Sequence, residues 1–265
     1  TFSAFSQSVS KQIMVDQFGY LPESEKIAVL AYPMEGFNAG KGFTPSTILH
    51  VMNKRTGKAV FTSKIVQWKN GMTDPQSGDK GWWFDFSAVK DTGTYYILDP
   101  IKKLKSYDFR ISPDVYANVL DADLKMFYYN RCNMAKIEPF ADKKWTDKES
   151  FMGKGQDADC YYLEDKENAA LTKDLSGGWF DAGDYNKYVT FLNDVINNML
   201  TAYEMKPKAF TDNINIPESG NGIPDLIDEI LYELEWVKKM QEPDGSVHIK
   251  MGEIGWDSKS PPSLC

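Results

Sequence analysis

Cysteine, long apolar runs and a surplus of positive charge are all missing from this chain. Three cysteines, Cys132, Cys160 and Cys265, stand among 265 residues, too few to staple a disulfide-built fold, so a buried core must hold the chain together. No run of about 18 apolar residues is available to cross a bilayer as a helix, so membrane insertion is not expected. Thirty Lys and Arg against 38 Asp and Glu leave a net charge of -8. That balance argues against a nucleic acid or an anionic membrane as partner, and fits a neutral or cationic ligand. Thr1 to Ser10 is polar with scattered Phe and matches neither a signal nor a transit peptide, so any export signal is expected to have been removed. Hydrophobic residues at 42% against 26% charged make disorder an unsuitable description.

What is present falls into two textures. From Gln12 to about Ile111, runs such as KIAVLAYP, GWWFDFS and GTYYILD are rich in β-branched and aromatic residues and are broken by Gly, Pro, Asn and Asp. They predict a β-sandwich of about 100 residues. Lys54-Arg-Thr-Gly57 reads as a hairpin loop with Gly57 at positive φ. In GWWF, period two sends Trp82 and Phe84 one way and Trp83 the other, so one side is expected to be core or interface. After Ser112-Pro113 the period lengthens. Val115, Val119, Ala122, Met126 and Tyr129 predict one helix. Tyr188, Leu192, Val195 and Met199 predict a second, over about 185–203. Ile227, Ile230, Leu234, Val237 and Gln241 predict a third, over about 224–241, with Asp228, Glu233 and Lys238 facing elsewhere. Between Cys132 and Gly178 the sequence is long and aperiodic, a texture often met in functional loops.

That loop runs into DLSGGWFDAGDYNKY, residues 174–188, where Asp181 and Asp184 stand three positions apart among glycines and rings. In inverting hydrolysis of an acetal, two carboxyls about 6.5 to 9.5 Å apart work from opposite sides. Asp181 and Asp184 are too close in sequence to be that pair. They suit two groups holding one water, with Gly177, Gly178 and Gly183 allowing sharp folding or close approach. A helix starting near Asp184 would favour its ionised form. Trp179, Phe180, Tyr185 and Tyr188 offer flat faces for sugar rings. A hard-cation site and a capped structural turn account for the same composition, and composition does not separate the three.

The string Leu175 to Val189 resembles the signature of the family 9 glycoside hydrolases, the cellulase family. Ile216-Pro-Glu-Ser-Gly-Asn-Gly-Ile-Pro-Asp-Leu-Ile-Asp-Glu229 with Leu234-Glu-Trp236 resembles a second family block. Ile13 to Pro22 resembles the first strand of the family's N-terminal domain. The resemblance implies an all-β immunoglobulin-like sandwich over residues 1–111. It implies the first part of an (α/α)6 barrel over 112–265, completed by the remainder of the same catalytic domain. It also implies inverting hydrolysis of β-1,4-glucosidic bonds in cellulose or β-glucan oligosaccharides, with Asp184 as general base and Asp181 positioning the water. Trp179 and Tyr185 would line the cleft, joined by Tyr188, and His248 occupies a block that often reads Val-Tyr-His-Lys in relatives, a pocket or packing residue.

Two departures stand out. The family's general acid is a glutamate far beyond the second block, and neither Glu218 nor Glu229 holds its position, so the chain is expected to stop short of a natural boundary at Cys265. Some relatives bind zinc before the DAGD stretch. Cys132 and Cys160 with Asp159 form the nearest set here, with no histidine beside them, and free thiols or a disulfide are the alternatives. No cofactor is required by the chemistry, and structural calcium is expected from the resemblance, although no EF-hand pattern is present. A secreted or periplasmic location follows from the substrate. An exo-acting relative and a non-catalytic carbohydrate-binding fragment are the competing readings.

Overall fold

The computed structural model describes residues 7–252 and 259–265. Of the segment read as lacking a targeting signal, the first six residues lie outside that range. The chain divides into two units, Thr1–Val119 and Leu120–Cys265. Among the described residues no helix is long and apolar enough to cross a membrane.

The first unit holds two sheets. One runs β1 (Ser8–Val9), β9 (Leu104–Lys105), β8 (Gly93–Asp99), β4 (Ile48–Asn53), β5 (Ala59–Lys64), with β10 (Phe109–Ile111) also pairing with β8. The other runs β2 (Ile13–Met14), β3 (Ile27–Pro33), β7 (Asp79–Asp85), β6 (Val66–Gln67). Alternation along the strands supplies the core: Ala28, Leu30, Trp82 and Phe84 from one sheet and Leu49, Val51, Tyr95 and Ile97 from the other are all buried. The expected sandwich is therefore the observed one. Trp82 and Phe84 face the core and Trp83 is exposed, as period two requires. Gly57 adopts φ +66° in the loop between β4 and β5, its N–H donating to Asn53 O at 2.8 Å. The first unit extends beyond Ile111. Ser112 N donates to Tyr20 O at 3.0 Å and the Tyr116 hydroxyl to Gly19 O at 3.3 Å, which tie the start of the predicted helix to the sandwich.

The second unit carries α1 (Ala117–Asn130), α2 (Val189–Met205), α3 (Asp225–Lys239) and the short ribbon β11 (Lys187–Tyr188) with β12 (Lys250–Met251). All three helices exist as predicted, but two present different faces. On α1, Leu124 and Tyr128 are buried while Ala122 and Met126 are exposed. On α2, Leu192, Val195 and Met199 do pack inward, but Tyr188 precedes the helix as a ribbon residue. On α3, the buried set is Asp225, Leu226, Asp228, Glu229, Ile230, Glu233 and Trp236, with Leu234 exposed. The apolar stripe failed there because carboxylates take positions on the packed side. A buried carboxylate needs a partner or a proton, and those partners lead to the site. At the other end, Pro262–Leu264 forms a single 3-10 turn where no helix was expected.

Candidate active site

The turn bearing Asp181 and Asp184 is held by a buried frame. Gly177 and Gly178 adopt φ +96° and +76°. A Cβ on Gly178 would lie 2.7 Å from the Trp236 ring, so the close approach these glycines permit is to α3 and not to a ligand. The backbone is then tied on several sides. Cys132 N donates to Gly178 O at 2.7 Å, Phe180 N to Asn130 O at 2.9 Å, and Trp179 N to the Glu233 carboxyl at 2.6 Å. Lys187, 1% exposed, donates through Nζ to Gly177 O at 2.7 Å, Leu175 O at 2.9 Å and Asp157 Oδ2 at 2.9 Å. One buried ammonium thus gathers the loop before the turn, both of its entry residues and the chain that leaves it.

From this frame the turn projects outward. Asp181, Ala182 and Gly183 are exposed and Asp184 is half-buried. A Cβ on Gly183 would meet nothing within 4 Å. Neither Asp181 nor Asp184 joins an ion pair among the described residues. Asp181 N donates to Asn186 O at 2.9 Å, and Asn186 Nδ2 donates to Asp184 Oδ2 at 2.6 Å. The helix does not begin at Asp184 as expected. Residues 187–188 are committed to the ribbon, Tyr185 sits at φ +55°, and α2 starts only at Val189. The neighbour of the Asp184 carboxylate is therefore an amide side chain and not a row of helix-end N–H groups.

The aromatic residues separate. Trp179 is 6% exposed and packs on Phe127 with ring centroids 4.8 Å apart, so its ring belongs to the core and offers no face to a sugar. Tyr188 carries the Phe191 ring at 4.8 Å and the Lys250 ammonium 5.1 Å from its centroid. Tyr185 and His248 do come together, lining a cavity of about 840 Å³ that also takes in Phe151, Tyr161 and Tyr162. Three of its lining residues, Lys173, the Tyr162 hydroxyl and His248, pull the neighbouring Glu242 carboxylate down to about 2. Lys173 and Tyr162 donate at 2.7 Å each, and His248 Nε2 lies 2.6 Å from the same oxygen.

The expected metal set of Cys132, Cys160 and Asp159 does not form. Cys132 is buried beside Phe151 and Phe180, its burial drives its pKa upward, and its thiol donates to Asp157 Oδ2 at 3.3 Å. Lys187 already supplies the positive charge at that carboxylate. Asp159 accepts from Gly155 N at 3.2 Å, and Cys160 is a free thiol. Among the described residues, Cys132, Cys160 and Asp159 do not bring their ligand atoms within 4.8 Å of one another, and the Asp157 beside Cys132 is taken by Lys187. The described residues that do gather carboxylate oxygens, within 4.8 Å of one another, are Asp212, Asp225 and Asp228, an all-oxygen donor set that fits a hard cation. Burial and neighbouring acids raise Asp225 and Asp228 above the ordinary carboxylate range.

Glu218 and Glu229 are also accounted for. Arg131, 1% exposed, donates through both Nη atoms to Glu218 at 3.0 and 2.9 Å and through Nε to Glu229 at 3.1 Å. Arg131, Lys187, Asn186 and Glu233 were not singled out from the sequence. The signal that was there is the spacing Asp225, Glu229, Glu233, three acids on one helical line, a pattern that on a packed helix demands buried cations or protons.

Comparison with known proteins gives the family of both units. Residues 116–262 match glycosyl hydrolase family 9, and residues 8–100 match the cellulase N-terminal ig-like domain. Endoglucanase D of Acetivibrio thermocellus is 30% identical over 89% of this chain, and a xyloglucan-specific endo-β-1,4-glucanase of Bacteroides ovatus is 32% identical over 90%. The chain spans 34% and 38% of those relatives' own lengths. Among solved structures, a Bacteroides ovatus GH9 protein superposes with a TM-score of 0.76 at 30% identity, covering 91% of this chain and 41% of its own. A metagenome-derived family 9 endoglucanase gives 0.73 at 35% identity, covering 90% and 42%. With its family match reaching across the helices, the DAGD turn and the frame beneath it, the chain belongs to glycosyl hydrolase family 9 and carries that family's immunoglobulin-like N-terminal domain.

Proposed function

We propose that this protein hydrolyses β-1,4-glucosidic bonds in cellulose or a related β-glucan, with inversion and by internal cutting. Asp184 takes the proton of the attacking water and Asp181 helps hold that water. The new C–O bond forms at the anomeric carbon as the bond to the leaving oxygen breaks. A general acid from catalytic-domain sequence beyond these residues protonates that oxygen, and the same sequence completes an (α/α)6 barrel. The observation that carries this reading is a turn that projects two carboxylates without an ion pair among the described residues, Asp181 exposed and Asp184 half-buried, and that is fixed from beneath by Lys187, Glu233 and Trp236. A site must be rigid below and open above. Tyr185 and His248, on the cavity wall, are the residues we assign to sugar contact. A polymer of this size is met outside the cytoplasm, which is where we place the enzyme.

Two measurements test the reading, both on protein with its catalytic domain at the length of its relatives. Asp184→Asn is expected to retain binding of cello-oligosaccharides while turnover falls at least about a hundredfold. Undiminished turnover removes Asp184 from the mechanism, and absence of turnover in the parent protein leaves the non-catalytic reading. Viscosity of a soluble cellulose derivative is expected to drop early relative to reducing-end release, and proportional loss indicates an exo-acting enzyme.

We also assign structural calcium to Asp212, Asp225 and Asp228. Bound there, it would offset most of the charge of three carboxylates and join the start of α3 to the loop before it. Calcium at about a hundred times its dissociation constant is expected to add about 3 kcal/mol to stability. In Asp228→Asn that increment is expected to disappear. A melting temperature indifferent to calcium and to chelator removes the assignment.

A further inference from the structure

Asn186 touches the Asp184 carboxylate and the Asp181 backbone, and is itself 4% exposed in a turn whose tip is open. We propose that Asn186 is the positioning residue of this site, fixing the direction of the Asp184 carboxylate and the separation of Asp184 from Asp181. The proposal rests on the reading of Asp184 as the base.

Three contacts carry it. The side-chain Nδ2 donates to Asp184 Oδ2 at 2.6 Å, and the Asn186 backbone N–H reaches Asp184 Oδ1 at 3.4 Å, so one residue addresses both oxygens. The Asn186 carbonyl accepts from Asp181 N at 2.9 Å, closing a ring from Asp181 through Asn186 to Asp184. The amide is seated by the β11–β12 ribbon, which pairs Lys187 with Met251 and brings Gly252 against it. A Cβ at position 252 would sit 1.7 Å from Asn186 Oδ1. The amino end must face Asp184, because the opposite assignment would set two oxygens 2.6 Å apart.

The consequence for a base is geometric. A half-buried carboxylate on a turn rotates about its Cβ–Cγ bond unless a donor holds it, and misplacement of a reacting group by about 1 Å costs on the order of a hundredfold. The two bonds from Asn186, the long one to Oδ1 and the short one to Oδ2, leave a second lone pair on each oxygen to meet water. The remaining charged groups at the turn are Asp181, which is exposed, and Lys187, whose ammonium faces Asp157 and two carbonyls.

The test uses protein with its complete catalytic domain and soluble cello-oligosaccharides. Asn186→Ala is expected to lower kcat by about ten- to a hundredfold with KM within about twofold. Asn186→Asp places a second carboxylate against the first. The acidic limb of its kcat/KM profile is expected to move to higher pH, because two such groups share a proton. Gly252→Ala, which displaces the amide without touching either carboxylate, is expected to lower kcat in the same sense. If Asn186→Ala and Gly252→Ala keep parental kcat while Asp184→Asn is inactive, the positioning role is overturned and the base assignment stands. An acidic limb unmoved in Asn186→Asp, with losses explained by the folded fraction alone, overturns it equally. Full turnover by Asp184→Asn overturns both.

Discussion

Arg131→Met is expected to destabilise the protein by about 3 to 5 kcal/mol, the range for removing one partner of a buried ion pair. The guanidinium is 1% exposed and the Glu229 carboxylate 0% exposed, with 3.1 Å between Arg131 Nε and Glu229 Oε2. Glu229 already has one oxygen buried without a hydrogen-bond partner. Burial pushes its pKa up, and Arg131 opposes that shift. Without the arginine, Glu229 must either stay charged in the core or take up a proton at neutral pH, and both are costly. Glu218 loses less, since its side chain is 36% exposed and water can replace the arginine. Arg131→Lys will not restore stability. A lysine has no planar fork with which to hold Glu218 through two nitrogens and Glu229 through a third, and the guanidinium also lies 4.3 Å from the centre of the Tyr232 ring. The double variant Arg131→Met, Glu229→Met is expected to recover part of the loss, because it removes the stranded charge as well as its partner. Urea denaturation of the parent, Arg131→Met, Glu229→Met and the double variant measures this. A loss below about 1 kcal/mol in Arg131→Met, or a double variant as unstable as the sum of the singles, would show that the ion pair does not support this core.

The sandwich was legible in the sequence because its chemistry is one-dimensional. Period-two alternation assigns Trp82 and Phe84 inward and Trp83 outward without knowledge of any partner. Gly57 likewise announces its own backbone angle. The helices were legible in existence but less so in direction. Hydropathy assumes that acids face water, and on α3 that assumption reverses the answer at Asp228 and Glu233, whose surroundings are supplied from residues far away in the chain. Glu233 meets Trp179 N, and Asp228 meets Asn221. The site divides in the same way. Asp181 and Asp184 stand out as two acids in a glycine-rich turn, and neither joins an ion pair among the described residues, which agrees with a chemical role. Trp179 carries the same local texture yet packs on Phe127, a contact that no neighbouring residue in the sequence foretells. Lys187 was hidden for the related reason that a lysine in a polar turn reads as solvated. Only the three-dimensional meeting of Leu175 O, Gly177 O and Asp157 makes it a buried cation, and that same meeting removes Cys132 from the ligands open to zinc.

Glu233→Gln is expected to stabilise the protein by about 3 kcal/mol at pH 7, with little effect near pH 4. Glu233 is 0% exposed, one oxygen accepts from Trp179 N at 2.6 Å, and the other is buried without a partner. Burial pushes its pKa from 4.5 up to about 8, against the smaller pull of the Trp179 N–H and Lys187. A carboxyl whose folded pKa is raised keeps its proton in the native state after the unfolded chain has released it. The native state therefore binds more protons between about pH 4.5 and 8, and stability falls as pH rises through that window. Below about pH 4.5 both states are protonated and the cost vanishes. At pH 7 the unfolded carboxyl is about 2.5 pH units past its midpoint, worth about 3 kcal/mol at 1.36 kcal/mol per unit. Glutamine copies the shape of the protonated acid, keeps an oxygen for Trp179 N and has no proton to lose, so its stability curve should lack this slope. Glu233→Leu separates the two contributions, since it also abolishes the titration but leaves the Trp179 N–H unpaired, at about 1 to 3 kcal/mol. Parallel pH–stability curves for the parent and Glu233→Gln would mean that Glu233 is ionised in the native state.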